Sequence, residues 1–322
     1  MLDKTIISQI YEDVFRRIYH KEVDLFLCGG ASSAKCTSYR DRLRAEIEKR
    51  QKKLCKDDVS IYYPEDLFSE ILARKKTDLL SLEEILAENS DLIIIVCESP
   101  GSFTELGAFV NNDATCKKVT AFVQSKYKND KSFINQGPIE YLRKHNTGCE
   151  PVQTFNQDIE EMCDKAMDII GQTRRRLIRS SQKQSLSLIS GQVCFIMLLL
   201  YFFDSLAYDE LRKTVAEKYQ VENSEESRFE ILYQAAIKRM YKKGYLVKQA
   251  DIGEYKLSPD GYFRVKRYID SIVSGSNTTQ KDFTENSEKT EDCIISGKPL
   301  YRSNLADGIR LNIMWKSYYQ HG

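Results

Sequence analysis

Histidine and regularly spaced cysteine are scarce in this sequence. Its 322 residues include three histidines, and none of its nine cysteines belongs to a C-x-x-C pair. An odd number of cysteines without such pairs argues against a disulfide framework, and the shortage of histidine argues against a zinc site. We therefore expect reduced thiols, a cytoplasmic location and no bound metal ion.

Motifs of the common nucleotide-binding proteins are also missing. The run CGG at residues 28–30 lacks the G-x-G-x-x-G fingerprint of redox dinucleotide sites, and the chain has no Walker lysine. No residue between positions 183 and 204 is charged, but the continuous apolar part covers only residues 193–203, which is too short for a membrane span. These absences argue against an ordinary NAD-dependent oxidoreductase, an NTPase and a membrane protein.

Positive and negative charges are nearly balanced along the chain. The net charge is +1, so any contact with nucleic acid must come from a local basic patch. With 42% hydrophobic and 30% charged residues, the composition is that of a globular protein. At 322 residues the chain is long enough for two domains with their own cores.

Strand-like and helix-like segments alternate through the first two thirds of the chain. Predicted strands cover residues 23–28, 59–63, 91–97, 117–123 and 150–154. Predicted helices cover residues 38–53, 67–74, 82–88, 102–111, 139–144 and 157–179. This alternation predicts an α/β fold with a parallel, five-stranded, Rossmann-like sheet that helices cover on both faces. In such sheets, ligands bind outside the carboxyl ends of the strands.

Acidic side chains and a double glycine collect at this predicted edge of the sheet. The substrate-binding candidates are Gly29, Gly30, Glu65, Asp66, Glu98 and Ser102, and the catalytic candidate is Glu105. Glycine lets the backbone approach phosphate or ribose oxygens closely. A group of acids without histidine suits chemistry at a sugar, where a carboxylate stabilises an oxocarbenium-like transition state or acts as nucleophile.

Each acid in this group also has a purely structural interpretation. Pro100 and Gly101 are expected to end the strand region and Ser102 to open a helix, so that Ser102 and Glu105 fit the capping box S-x-x-E. The pair at residues 65–66 could instead begin a helix, and Glu98 could be a solvated turn residue. The gathering of several acids at one edge favours the catalytic interpretation of Glu105.

Five segments resemble the nucleoside deoxyribosyltransferase-like effectors of retrons, which join such a domain to a winged helix-turn-helix domain. The segments are FLCGG (26–30), YPEDLF (63–68), LLSLEEILAE (79–88), ESPGSFTELGAF (98–109) and SFINQGP (132–138). The resemblance implies that Glu105 attacks the anomeric carbon of the sugar. It also implies an N-glycosidase that cleaves the nicotinamide–ribose bond of NAD, which is then a substrate and not a cofactor, and a toxin role in antiviral growth arrest.

The resemblance further implies control by a retron reverse transcriptase and its branched RNA–DNA product. We also expect a homo-oligomer or a higher assembly. Two other functions remain open. The enzyme could act on deoxynucleosides or their phosphates as a deoxyribosyltransferase or hydrolase, or the protein could be a DNA-binding regulator whose first domain only senses a nucleotide.

The last third of the chain predicts a mainly helical winged helix-turn-helix domain. Three helices near residues 188–203, 208–219 and 227–243 precede a hairpin of strands 245–248 and 254–257, which the turn at 258–261 closes. The candidates for contact with nucleic acid or a partner are Arg174, Arg175, Lys238, Arg239, Lys242 and Lys243. A solvated helix face is the alternative for the arginines. The acidic start of the third helix, at residues 225–230, leaves protein binding open for the domain.

The changes in secondary-structure pattern, charge and polarity along the chain predict four segments. Residues 1–171 form the catalytic domain and residues 172–183 a basic helical linker. Residues 184–270 form the winged helix-turn-helix domain, and residues 271–322 a polar linker and C-terminal tail.

Overall fold

The computed structural model describes residues 2–54, 59–63, 79–146, 150–222, 226–249, 253–274 and 308–309. The chain divides into two compact units, each described here by itself. The sheet unit consists of His20–Gln182, and the helical unit consists of Met1–Tyr19 with Lys183–Gly322. The chain therefore passes from one unit to the other twice.

The first 19 residues pack with the C-terminal half of the chain, although the sequence analysis had placed them in the catalytic domain. They begin with helix α1 (Lys4–Gln9) and continue through a short π-helical turn. The rings of Tyr11 and Phe15 lie 5.5 and 5.3 Å from the ring of Phe195, and all three side chains are buried. Burial of these large apolar side chains accounts for the assignment of this segment to the helical unit.

The sheet unit is built on five parallel strands. They are β1 (Val23–Cys28), β2 (Val59–Tyr62), β3 (Leu92–Cys97), β4 (Val119–Gln124) and β5 (Val152–Phe155). Their spatial order is β2-β1-β3-β4-β5, so the predicted parallel five-stranded sheet is confirmed. The order reverses direction between β1 and β3, and such a switch point is where doubly wound sheets bind their ligands.

Helices connect these strands and bury the central ones. In the described residues they are α2 (Tyr39–Lys53), α3 (Leu79–Glu88), α4 (Pro100–Val110), α5 (Asp113–Cys116), α6 (Glu140–His145) and α7 (Ile159–Ser180). Every residue of β1 and β3 is buried, as expected for strands that are covered on both faces. One core cluster joins Leu43 and Ile47 of α2 to Ala166 and Leu177 of α7.

Helix α7 extends well into the segment that the sequence analysis had assigned to a linker. It ends at Ser180, where Ser181 adopts a left-handed conformation. Leu177 still belongs to the core of the sheet unit, and Thr173 is also buried. Most of residues 172–183 are therefore the last turns of a packed helix.

The helical unit has the order of elements expected for a winged helix. Its elements after α1 are α8 (Ile189–Phe203), β6 (Ser205–Ala207), α9 (Tyr208–Glu222), α10 (Glu226–Lys242), β7 (Leu246–Lys248), β8 (Glu254–Leu257) and α11 (Pro259–Ser274). The three strands form an antiparallel sheet in the order β6-β8-β7. The predicted order of three helices and a hairpin is confirmed, while strand β6 and helix α11 were not predicted.

The uncharged segment before Asp204 forms helix α8, which is buried around nearly its whole circumference. A helix that is apolar on all sides belongs in the core of a domain or in a membrane. No helix in the described ranges is both long enough and apolar enough to cross a membrane.

The sequence SPDG at residues 258–261 begins helix α11 and does not form the predicted closing turn. Ser258 precedes the helix, and its Oγ accepts a hydrogen bond from the Gly261 amide at 3.0 Å. Pro259 is the first helical residue, a position where its missing N–H costs nothing and its fixed φ fits the helix. The predicted turn is therefore the N-terminus of an additional helix.

Candidate active site

The helix after β3 begins two residues earlier than predicted, and its cap is built differently. Ser99 is the N-cap and Pro100 the first helical residue. The Ser99 Oγ accepts a hydrogen bond from the Ser102 amide at 3.2 Å, and the Ser102 Oγ accepts one from the Ser99 amide at 3.1 Å. The structural alternative, in which Ser102 and Glu105 form the capping box, is therefore not observed, since proline is favoured at the first helical position and places the cap at Ser99.

Glu105 consequently lies in the second turn of α4, where the helix cap does not use it. The side chain is half-buried, and its Oε2 atom is shielded from solvent. Cys97, the last residue of β3, is close by: burial raises the pKa of its thiol to about 12, and the charges of Glu105 and Glu98 contribute to this rise. The carboxylate of Glu105 thus stands at the carboxyl end of β3, beside the switch point.

Glu98 is bound to the backbone of two other elements. Its Oε1 atom accepts hydrogen bonds from the amides of Gly30, at 3.1 Å, and Arg40, at 3.0 Å, while its Oε2 atom accepts one from the amide of Tyr39 at 2.8 Å. Tyr39 and Arg40 are the first two residues of α2. Glu98 is therefore not a solvated turn residue, which was the structural alternative for it. The Gly30 amide, which was expected to meet the substrate, donates its hydrogen bond to this carboxylate of the protein.

The double glycine after β1 permits two close approaches. Gly29 has a φ of +156°, and a Cβ at this position would lie 2.8 Å from the Cβ of Arg40. A Cβ at Gly30 would lie 3.2 Å from the Cγ of Glu98. Any side chain at Gly29 would collide, so glycine lets the end of β1 meet both the start of α2 and the turn after β3.

A further carboxylate near this edge, that of Asp41, was missed by the sequence analysis. It accepts hydrogen bonds from both the amide and the hydroxyl of Ser32. Burial tends to raise the pKa of Asp41, but hydrogen bonds from Ser32 and Tyr63 and the charge of Arg40 together hold it below its ordinary value. The Tyr63 ring in turn contacts the guanidinium groups of Arg40, at 4.1 Å, and Arg44, at 4.3 Å. The signal that could have revealed Asp41 is the spacing S-x-x-D that begins at Ser38, the N-cap of α2.

The structure brings together the predicted residues that flank the switch point. Gly29, Gly30 and Glu98 directly follow β1 and β3, and Ser102 and Glu105 lie in the first two turns of α4, the helix after β3. Ser102 is fully buried, and its hydroxyl serves the cap of α4. Glu65 and Asp66 lie outside the described residues.

The basic candidates of α10 do not all face solvent. Arg239 is 8% exposed and lies among core residues of the helical unit, because it occupies the same side of α10 as the buried Ala236 and Met240. Lys242 is exposed, while Lys238 and Lys243 are partly exposed. Of these four candidates, the three lysines are therefore the more accessible to a phosphate.

The two candidate arginines of α7, Arg174 and Arg175, also differ in exposure. Arg175 is exposed. Arg174 is half-buried, and its Nε atom is shielded from solvent. A partner on this face of α7 would therefore meet Arg175 more fully than Arg174.

A group of side chains able to bind a cation occurs at the other edge of the sheet. His20, Asp24 and Asp91 place their ligand atoms within 4.8 Å of one another. The Asp91 Oδ2 atom lies 2.8 Å from the Nε2 of His20 and accepts a hydrogen bond from the Asp24 amide. These residues stand at the amino ends of β1 and β3, whereas Glu105 stands at the carboxyl ends, so the group belongs to a different place in the fold.

Comparison with known proteins agrees with the retron resemblance. The family of the STM3845 retron effector protein matches residues 36–248 of this chain. A retron Ec86 protein from Escherichia coli, named as a candidate ribosyltransferase/DNA-binding protein, is 37% identical over 64% of this chain and 68% of its own length. A retron Ec73 protein from Escherichia coli with the same kind of name is 28% identical over 62% of this chain and 67% of its own length. Because the family match covers more than half of the sequence, the chain belongs to the STM3845 retron effector family.

Proposed function

We propose that this retron effector is an N-glycosidase that hydrolyses the nicotinamide–ribose bond of NAD, with Glu105 as nucleophile. The observation that supports the proposal best is the position of Glu105 in the sheet unit. Its half-buried carboxylate stands at the carboxyl end of β3 beside the switch point, and the cap of α4 is made by other residues. The names of the two relatives support the proposal, since a ribosyltransferase also acts at the anomeric carbon of a ribose.

The proposed reaction takes place in two steps. The Glu105 carboxylate attacks C1′ of the ribose, and the electron pair of the C1′–N bond moves to the cationic ring nitrogen, so that nicotinamide leaves neutral and needs no general acid. Water then attacks C1′ of the glycosyl ester, which releases Glu105, ADP-ribose and a proton.

The retron context suggests how such an activity would be controlled. Members of a retron effector family are expected to work beside a reverse transcriptase and its branched RNA–DNA product. In this proposal the partner restrains NAD hydrolysis until an infection releases it, and the loss of NAD then arrests growth. The helical unit is the candidate for contact with that partner.

Purified protein is expected to convert NAD into nicotinamide and ADP-ribose at neutral pH, as measured by product chromatography. A chelator should leave the rate unchanged, because no step of the mechanism uses a metal ion. A parallel incubation with a deoxynucleoside and a second free base serves as the comparison. Base exchange on the deoxynucleoside with NAD left intact would contradict the proposal and support a deoxyribosyltransferase.

A nucleic-acid-binding role of the helical unit is the second candidate function, and the exposed lysines of α10 favour it. Replacing Lys238, Lys242 and Lys243 with alanine is expected to weaken binding to a branched RNA–DNA and to reduce the slope of log affinity against log salt by about 0.9 for each phosphate that is no longer neutralised. The same triple change at the exposed Lys49, Lys52 and Lys53 of α2 is the matched control. Equal affinities and slopes for the two variants would leave α10 without a role in binding nucleic acid.

A further inference from the structure

The N-terminus of α2 is occupied by a carboxylate of the protein. In doubly wound sheets, the helix that follows the first strand often presents its free amides and partial positive charge to a phosphate of the ligand. Here the amides of Tyr39 and Arg40 donate to Glu98 at 2.8 and 3.0 Å, and the amide of Gly30 donates to the same side chain at 3.1 Å. The Asp41 amide donates to the cap residue Ser38 at 3.1 Å.

We propose that Glu98 is a resident anion that takes the place of a ligand phosphate at α2 and thereby positions the β1–α2 connection. This connection is defined as residues 29–40. Glu98 is then a positioning residue and makes no contact with the substrate. Its role extends the function proposed for Glu105, because the connection forms one wall of the same switch point.

The three backbone amides that donate to Glu98 require both oxygens of an ionised side chain. Oε1 accepts two amide hydrogens and Oε2 accepts a third, so all three bonds are assisted by the negative charge. A glutamine at this position has one oxygen and one NH₂ group. Whichever way the glutamine turns, its NH₂ group faces at least one backbone N–H, and two donors repel each other.

The rest of the connection depends on this anchor. A Cβ at Gly29 would collide with Arg40, and a Cβ at Gly30 would make a tight contact with the Glu98 side chain. Asp41 holds the middle of the connection through the amide and hydroxyl of Ser32. Because the connection is fixed at Glu98 and at Asp41, loss of Glu98 releases its two ends while the strands remain in place.

The test compares two variants with different chemistry at position 98. Glu98→Ala removes the anion and leaves a gap of carboxylate size, which formate can refill. Glu98→Gln removes the charge but fills the gap. The expected result is faster hydrogen exchange of the residue 30, 39 and 40 amides in both variants, by about tenfold or more, with unchanged exchange in β3. The exposed Glu140 of α6 supplies the control variant Glu140→Ala, in which these amides stay protected.

Formate provides the second measurement. In sodium formate, compared with sodium chloride at equal ionic strength, the Glu98→Ala variant should regain amide protection and thermal stability, while wild type and Glu98→Gln should not respond. Unchanged exchange at residues 30, 39 and 40 in both variants would overturn the proposal. So would an equal response of Glu98→Ala and Glu98→Gln to formate. If the alanine variant does not fold, hydrogen exchange of the residue 30, 39 and 40 amides in Glu98→Gln alone tests the proposal.

Kinetics separate this role from the function proposed for Glu105. In Glu98→Ala, the KM for NAD should rise about tenfold or more with a smaller change in kcat, and formate should lower KM again. A fall in kcat alone would contradict a positioning role. If wild-type protein does not cleave NAD, the proposed activity fails, and the exchange and formate measurements still decide whether Glu98 positions the connection.

Discussion

Replacing Glu105 with glutamine is expected to reduce the kcat for NAD cleavage by ~10⁴-fold or more, because removal of a residue that takes part directly in the chemistry costs about 10⁴- to 10⁶-fold in kcat. The neutral amide cannot attack C1′ and cannot offset the positive charge that develops on the ribose. The fold should tolerate the change, because Ser99 and Ser102 cap α4 and Glu105 has no part in that cap. Tm should therefore stay within a few degrees of the wild-type value.

The measurement is the initial rate of nicotinamide release, with Tm recorded on the same preparations. Glu140→Gln changes an exposed helical glutamate of the same unit in the same way, and it should leave both the rate and Tm unaltered. A Glu105→Gln variant with wild-type Tm and wild-type rate would remove Glu105 from the mechanism. A variant that loses activity only because it loses stability would be recognised by its lower Tm.

The change Gly191→Ala is expected to destabilise the helical unit by about 3 kcal/mol or more, at or beyond the upper end of the usual cost of overpacking. A Cβ at this position would lie 1.8 Å from the carbonyl oxygen of Ser185 and 2.6 Å from its carbonyl carbon. These are backbone atoms, so no side-chain rotation can relieve the collision. The segment before α8 would have to move, and with it the buried hydrogen bond from Gln192 to the Leu186 carbonyl oxygen at 2.9 Å.

Thermal unfolding measures this effect, and a fall in Tm of about 6–12 °C is expected for a unit of this size. The matched control is Gly107→Ala in helix α4, where a Cβ would meet no atom within 4 Å. Alanine there should raise stability by about 0.5–1 kcal/mol, because glycine is a poor helix former. A Gly191→Ala variant that unfolds at the wild-type temperature would contradict the close packing of α8 against Ser185.

Local sequence patterns predicted the strands of the sheet unit but misplaced the start of two helices, one in each unit. All five strands were predicted to within two residues. For β1, β3 and β4 the signal was a run of apolar and β-branched residues that are almost all buried, whereas three of the four residues of β5 are only partly buried and its pattern was weaker. The dipeptide Ser-Pro was misinterpreted twice, at residues 99–100 and 258–259. In both places serine precedes the helix and proline is its first residue. Proline was interpreted as a breaker, although the start of a helix is where it is best tolerated.

The contacts of Glu98 could not be predicted from any local pattern. Its amide partners at Gly30, Tyr39 and Arg40 lie 68, 59 and 58 residues away along the chain. Only the strand order, which places β1 beside β3, brings these groups together. The expectation that the Gly30 amide approaches a phosphate was chemically reasonable, since that amide does meet an anion, but the anion belongs to the protein. Likewise, no local pattern in residues 1–19 shows that they pack with the helical unit, and the sequence analysis assigned them to the catalytic domain.

The double passage of the chain between its units, at residues 19–20 and 182–183, restricts how the protein can be divided for separate expression. A fragment that begins at Lys183 would lack Tyr11 and Phe15, and the ring of Phe195 that they cover would be left in water. A fragment that ends at Gln182 would instead carry those side chains without their packing partners. Isolated production of the helical unit therefore calls for residues 1–19 joined to residue 183 by a short linker, with the intervening segment treated as an insertion.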